Sequence, residues 1–119
     1  MKKYIFWGIA TFLLVGQLTL LTVLARTTSQ TTDEAVHIAA GYTYVKYRDL
    51  RFNPEHPPLV KLLSGAAVAL THPNWSKESA DLWQKSGDYF YDNYIENHVA
   101  GELFLYKSGN DAQKLLFTA

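Results

Sequence analysis

The chain has 119 residues, with 11 basic and 11 acidic side chains, a formal net charge of zero at pH 7 and no cysteine. This balance argues against a basic nucleic-acid-binding face or an acidic tail, so no polyanionic partner is expected. Without cysteine there is neither a disulfide framework nor a thiolate metal site. The informative feature is the uneven distribution of apolar residues, which are concentrated at the start of the chain.

The first predicted element is a membrane-spanning helix. Residues 4–25 form a run of 22 uncharged positions, which as a helix would be about 33 Å long and could cross a hydrocarbon core of about 30 Å. Lys2 and Lys3 precede the run and only Arg26 follows closely, so the positive-inside rule puts the amino terminus in the cytoplasm and the rest outside. The alternative is a cleaved signal peptide with a small-residue site near Ala25, although such apolar regions usually have only about 7–15 residues.

A second helix is predicted to open near Thr31 and to end near Tyr47. Thr31 and Glu34 have the spacing of a capping box. Small and apolar residues then recur at helical spacing, namely Val36, Ala39, Ala40, Thr43, Tyr44 and Tyr47. Residues 48–58 are interpreted as a loop, because their prolines remove backbone donors and favour extended geometry in the preceding residues.

Residues 59–70 are predicted to form a third helix that lies along the membrane surface. The segment follows Pro57-Pro58, which can start a helix, and it is apolar nearly all round. About 12 residues are too few to span a bilayer, which favours an interfacial position. Lys61, within this helix, is interpreted as an anchor whose side chain reaches the headgroups.

The last third of the chain is aromatic and charged, and it ends in a new apolar run. Ser108-Gly109-Asn110-Asp111 predicts a turn, with a helix starting at Ala112 and an apolar stretch over residues 115–119. We therefore expect a mostly α-helical membrane protein with three parts. These are a transmembrane helix with a short cytoplasmic tail (1–26), an extracytoplasmic loop with amphipathic helices (27–111), and the start of a second transmembrane helix (112–119).

Two short motifs carry a resemblance to a known family. Asp33-Glu34 comes soon after the predicted span, and Glu55-His56-Pro57-Pro58 follows in the next loop. In this arrangement the chain resembles the first outer loop of GT-C membrane glycosyltransferases of the protein O-mannosyltransferase and aminoarabinose-transferase type. The resemblance covers the chain from the first span to its last residue. It implies inverting transfer of a sugar from a polyprenyl-phosphate donor to a hydroxyl of a protein or lipid, outside the cytoplasmic membrane.

The resemblance implies that the first motif, Asp33 and Glu34, is catalytic. Asp33 would accept the proton of the acceptor hydroxyl as that hydroxyl attacks the anomeric carbon. Spacing alone favours a different role, in which both carboxylates stabilise the positive amino terminus of the helix and Glu34 completes the capping box. His37, one turn beyond Asp33, is interpreted as structural, because a surface pair at this spacing contributes only about 0.2–0.5 kcal/mol.

The second motif supplies the implied substrate-binding residues, Glu55 and His56. His56 agrees with the His-Pro-Pro of the mannosyltransferase-type sequences, and as a cation or a hydrogen-bond donor it would contact the carrier phosphate. The prolines stiffen the chain beside both side chains. The alternative is that Glu55 and His56 only cap the helix that follows.

No metal site is predicted from the spacing of ligands. Glu34, His37, Glu55 and His56 offer oxygen and nitrogen atoms, yet the sequence has no HExxH or similarly tight ligand motif. Some members of the family that this chain resembles hold a divalent ion near the Glu of the second motif. The resemblance therefore names Glu55 as the residue to test for a metal.

The sequence leaves two other classes of protein open beside the transferase. In the transferase, partners would be the lipid-linked donor, the acceptor and membrane lipid, and further transmembrane helices would be needed for activity. The first alternative is a single-pass protein whose extracytoplasmic part is an interaction module, with the aromatic residues of 75–106 as its contact surface. The second is a secreted protein released by signal cleavage.

Overall fold

The structure is a computed structural model that describes residues 2–85 and 94–119. Over these ranges the chain is mostly helical and has no strand. The helices are α1 (Lys2–Thr27), α2 (Glu34–Tyr47), α3 (Pro58–Ala69), α4 (Lys77–Lys85), α5 (Tyr94–Glu102) and α6 (Ala112–Thr118), with a π-helical turn over Leu103–Lys107 between the last two. The predicted fold class is thus confirmed at the level of a mostly helical chain.

The long apolar helix α1 projects from the rest of the molecule and contributes no residue to its core. Within the described ranges it is the one helix long and apolar enough to cross a membrane, over Lys3–Thr27. Its threonines do not interrupt this character, because the Thr19 and Thr22 hydroxyls donate to backbone carbonyls four residues earlier, at 2.8 Å each. The predicted apolar helix is confirmed, and it is compatible with a membrane anchor or a signal sequence.

Helix α2 is the centre of the remaining bundle, and α3 crosses it at very short range. The contact is made by Gly41 and Gly65, since a Cβ at either glycine would overlap backbone atoms of the other helix. Only glycine allows two helix backbones to approach so closely. The predicted carboxyl-terminal end of α2 at Tyr47 is confirmed, and α3 begins and ends one residue before its predicted bounds, at Pro58 and Ala69. Helix α2 begins at Glu34, three residues after the predicted Thr31.

The core forms where α2 also meets α5 and the π-helical turn. Phe104 is fully buried and stacks on Tyr42, with ring centroids 5.0 Å apart, while Trp75 packs against both rings. Ser108 ends the π-helical turn, and its hydroxyl donates to the Leu103 carbonyl (2.9 Å). A core of this kind lets the bundle hold its shape without help from α1.

Among the aromatic residues of 75–106 whose side chains the structure describes, three pack inward and one is exposed. Trp75 and Phe104 belong to the core, and Trp83 stacks on Tyr47 with centroids 4.2 Å apart, whereas Tyr106 is exposed. Three other aromatic residues of the expected contact surface lie outside the described residues, namely Tyr89, Phe90 and Tyr91. The described part of this region therefore serves packing more than surface contact.

The predicted turn over residues 108–111 and the helix start at Ala112 are both confirmed. Gly109 takes the left-handed conformation (φ 78°) that a turn of this kind requires. Asp111 caps α6, because its carboxylate accepts the Lys114 backbone N–H at 3.0 Å. Helix α6 ends at Thr118, and its role as the start of a second span stays a prediction.

Candidate functional site

The first motif lies at the amino-terminal end of α2, and its two carboxylates have different surroundings. The Glu34 side chain accepts the Thr31 backbone N–H at 2.9 Å, so the Glu34 half of the predicted capping box is formed. The Glu34 N–H donates to the Thr31 backbone carbonyl (3.3 Å). Asp33, the residue before the helix, makes no capping hydrogen bond, and its side chain is 62% exposed. Glu34 is thus occupied structurally, whereas the Asp33 carboxylate is open to a ligand.

A residue distant in sequence, His98, stands beside Asp33. The His98 Nε2 atom lies 4.0 Å from the Asp33 Oδ1 atom, and the imidazole is 19% exposed. Helix α5 brings it there through Gly101, where a Cβ would overlap the backbone of Ala35 and Val36 in the first turn of α2. Asp33 therefore has an imidazole as a neighbour, in a position that local spacing does not reveal.

The second motif lies in a loop that is fixed by hydrogen bonds to the buried residues just before it. Asn53, the residue before Pro54, is 2% exposed and adopts a left-handed backbone conformation (φ 48°). The Tyr44 hydroxyl donates to the backbone carbonyls of Phe52 (2.6 Å) and Asn53 (3.0 Å). Burial, with the Asp49 carboxylate, raises the pKa of Tyr44 to about 12, which keeps this hydroxyl protonated as a donor.

Lys61 completes this anchor, and here the interpretation as a headgroup-reaching side chain is wrong. The residue is only 4% exposed, and its ammonium donates to the Asn53 backbone carbonyl and to Asn53 Oδ1 (2.7 Å). The ammonium also lies over the Tyr44 ring, 5.9 Å from the centroid. The close approach of α2 and α3 turns the Lys61 side chain beneath the loop instead of toward solvent. Burial lowers its pKa, and the Glu55 carboxylate acts in the opposite direction.

His37 and His56 bring the two motifs together. Their rings meet edge to face, with centroids 5.2 Å apart. Burial lowers the pKa of His37, and the nearby charges of Lys61 and His56 lower it further, against the opposing effects of Asn53 and Asp33. His37 is partly buried and belongs to this cluster, and its interpretation as a structural residue stays a prediction.

This cluster opens into an apolar groove of about 450 Å³. The walls come from the second motif and from α3, and the lining residues are His37, His56, Pro57, Leu59, Val60, Lys61 and Ser64. Leu59 and Val60 are 65% and 74% exposed, so the groove continues into the outer apolar face of α3. The lining combines two imidazoles and the stem of Lys61 with apolar side chains, and it is mostly apolar, as expected for a groove that takes an apolar ligand group.

The residues that the structure describes do not form a metal centre. Over the described ranges there is no group of three or more His, Asp and Glu side chains placed to hold a metal ion. Glu55, the residue named by the family resemblance, is exposed and lies near the Lys61 ammonium. We therefore derive no chemistry through a metal ion.

The structure thus brings three residues considered in the sequence analysis together in one groove, and it places two further residues close to the motifs. His56, His37 and Lys61 share the groove, and Asp33 lies one helical turn before His37. The Glu34 carboxylate accepts the Thr31 backbone N–H, and the Glu55 carboxylate is close enough to raise the pKa of Lys61 against the effect of burial. The sequence analysis did not identify His98 or Asn53 as site residues. The signal for His98 is Gly101, which allows α5 to approach α2, and the signal for Asn53 is the Asn-Pro pair.

Comparisons of the chain with models of known protein families, with curated proteins and with solved structures find no match.

Proposed function

We propose that this chain is the amino-terminal part of a polytopic membrane glycosyltransferase that uses a polyprenyl-phosphate sugar donor. The acceptor would be a hydroxyl group of a protein or lipid on the outer face of the membrane. The observation that supports the proposal is the groove beside the two motifs, which is lined by His37, His56 and Lys61 together with apolar residues of the second motif and of α3. A polyprenyl phosphate has an anionic head and an apolar tail.

In the proposed reaction, the acceptor hydroxyl attacks the anomeric carbon of the sugar while the bond from that carbon to the phosphate oxygen breaks. Asp33 accepts the proton that the hydroxyl loses, and the polyprenyl phosphate leaves with the bonding electron pair. The exposed Asp33 carboxylate, without a capping hydrogen bond, is accessible for this role. Attack from the face opposite the phosphate inverts the configuration of the anomeric carbon.

In this scheme the leaving phosphate contacts the second motif, Glu55-His56-Pro57-Pro58. An imidazole hydrogen bond from His56 stabilises the charge that develops on the phosphate oxygen. The Lys61 ammonium is committed to Asn53 and adds positive potential from below the loop. Glu34 and Glu55 have supporting roles in this scheme, since Glu34 accepts the Thr31 backbone N–H just before α2 and Glu55 lies close to Lys61.

The proposal requires helices beyond those described. The exposed sides of α1 and the outer face of α3, with Leu59, Val60 and Leu63, are apolar surfaces against which further spans and lipid would lie. A groove open on one side encloses neither the tail nor the acceptor. We therefore expect the 119-residue chain alone to associate with membranes and to lack transferase activity.

The decisive experiment uses the complete gene product. Its coding sequence should continue into additional apolar spans, and membranes that contain it should transfer radiolabelled sugar from a polyprenyl-phosphate donor to a protein or lipid acceptor. The matched control is the same membrane preparation without the gene. A gene product without further spans, or full turnover by the purified 119-residue chain, would overturn the proposal as stated.

A second candidate function is a single-pass anchored interaction module without catalysis. The observation that favours it is the self-contained core, in which α2 packs against α3, α5 and the π-helical turn without any contribution from α1. A module of this kind needs no further spans. The same gene-level and transfer experiments therefore separate it from the transferase.

A further inference from the structure

A cavity of about 390 Å³ lies between the carboxyl-terminal end of α1 and helix α6, away from the groove described above. Arg26, in the last turn of α1, and Lys114, in α6, line it together with the polar side chains of Thr28 and Gln113. Leu116 and Phe117 form its apolar wall. The cavity thus combines two cations, neutral hydrogen-bonding groups and an apolar side.

The two cations are available to an anionic ligand. Over the described residues neither Arg26 nor Lys114 forms an ion pair, and both are exposed. The Arg26 guanidinium is held in place by the Phe117 ring, 4.8 Å from its centroid. One carboxylate, that of Asp111, also lines the cavity, but it accepts the Lys114 backbone N–H as the cap of α6. A planar guanidinium beside a second cation is well suited to bind phosphate.

The position of the cavity indicates which phosphate compound it fits. With α1 across a bilayer, Arg26 lies at the boundary between the hydrocarbon core and water, at headgroup level. Leu116 and Phe117 form an apolar wall beside the cations, and Phe117 is 45% exposed at the end of α6 that lies against α1. A soluble anion would gain nothing from that wall, whereas a lipid has chains that extend along it.

We propose that this cavity binds the phosphodiester headgroup of an anionic phospholipid, with the glycerol and acyl chains lying along α1 and α6. Arg26 and Lys114 contact the phosphate, and Thr28 and Gln113 donate to its oxygens or to the headgroup. The site is separate from the transferase groove and does not depend on the proposed reaction. It depends only on the insertion of α1 in a bilayer.

The test uses the full 119-residue chain in phosphatidylcholine bilayers. Electron paramagnetic resonance of spin-labelled lipids measures the relative association of phosphatidylglycerol and phosphatidylcholine with the protein surface. We expect phosphatidylglycerol to be preferred about fivefold or more, since each cation near an anionic surface contributes about 1 kcal/mol. The double variant Arg26→Gln, Lys114→Gln should lose most of the preference, leaving only the part due to Lys2 and Lys3 at the other end of α1, whereas the control Lys77→Gln, on α4, should keep the full preference.

Other arms of the experiment address the remaining possibilities. Millimolar glycerol 1-phosphate should not displace the lipid, and displacement would overturn the lipid assignment in favour of a site for soluble phosphates. Equal association of both lipids with the unaltered chain, or an unchanged preference in the double variant, would overturn the site itself. The near-ultraviolet circular dichroism of the packed Trp75 reports whether the double variant is folded. If that signal is lost, the single variant Lys114→Gln, at an exposed position, is measured instead, and an unchanged preference for phosphatidylglycerol in it would also overturn the site.

Discussion

The imidazole ring of His37 meets that of His56 edge to face, with centroids 5.2 Å apart. This contact joins the first turn of α2 to the loop before α3, and it connects the Asp-Glu motif with the Glu-His-Pro-Pro motif in space. It depends on two other features, the close crossing of α2 over α3 and the attachment of the loop at Asn53. Each of these features can be altered separately.

The crossing of α2 and α3 is tested by Gly65→Ala. A methyl group at this position would overlap the Gly41 backbone, so the two helices must separate. We expect a loss of unfolding free energy of at least about 1–3 kcal/mol, measured by thermal unfolding of the chain in neutral detergent and followed by near-ultraviolet circular dichroism. Gly16→Ala is the matched control, because nothing lies within 4 Å of a Cβ there. Equal stability of the two variants would contradict the described crossing.

The loop attachment is tested by Lys61→Met, which keeps the length of the side chain but removes its donors. Two carbonyl oxygens of the buried Asn53 then lose the ammonium, and we expect a destabilisation of about 1–3 kcal/mol. Hydrogen exchange should increase in the loop over residues 53–57. The exposed Lys77→Met serves as the control and should leave both quantities unchanged. A loop that is equally protected in Lys61→Met would show that the ammonium does not anchor it.

The partial burial of His37 predicts a pH dependence of stability. Its pKa is lowered from 6.5 in the folded chain, so the unfolded chain binds more protons between the two values. Stability due to this residue is therefore present above about pH 6.5 and is lost as the pH falls toward the folded pKa. Unfolding at pH 5–8 should show this loss, and His37→Gln should reduce the slope. Titration of the His37 ring by NMR gives the folded pKa directly, and a value above 6.5 would contradict the burial.

Local signals in the sequence located four of the helices, but they located neither α4 and α5 nor the site. Proline, capping and apolar spacing predicted α1, α3, the end of α2 and the start of α6 to within about two residues, and the start of α2 to within three. The buried state of Lys61 could not be predicted, because its helix is apolar nearly all round and no local rule says which side meets α2. The approach of His98 to Asp33 depends on α5 packing through Gly101, a contact between distant segments.

The orientation of α1 is tested by a single cysteine. Because the chain has no cysteine of its own, Ser29→Cys introduces one thiol at an exposed position just after the span. The Lys2-Lys3 pair predicts that this position lies outside the cytoplasm, so a membrane-impermeant thiol reagent should label intact cells. Labelling of lysed cells only would contradict the orientation, and with it the outward-facing transferase.

The matched comparison for the catalytic proposal is Glu34→Gln. Glutamine can accept the Thr31 backbone N–H that Glu34 accepts, so the helix start is retained. In the complete enzyme we expect this variant to keep more activity than a variant of Asp33. A larger loss in Glu34→Gln than in Asp33→Asn would assign the base to Glu34 instead.

Asp33→Asn separates a structural carboxylate from a catalytic one. Asparagine is nearly isosteric and favourable before a helix, and Asp33 makes no capping hydrogen bond, so the change should cost at most about 1 kcal/mol of stability. An amide cannot accept the proton of the acceptor hydroxyl, and we expect turnover to fall by roughly 10²- to 10⁴-fold, with membrane insertion unchanged and donor binding little affected. The measurement is transfer from a polyprenyl-phosphate sugar to its acceptor by the complete enzyme. Turnover like that of the unaltered enzyme would remove Asp33 from the mechanism and leave its proximity to His98 as a surface contact.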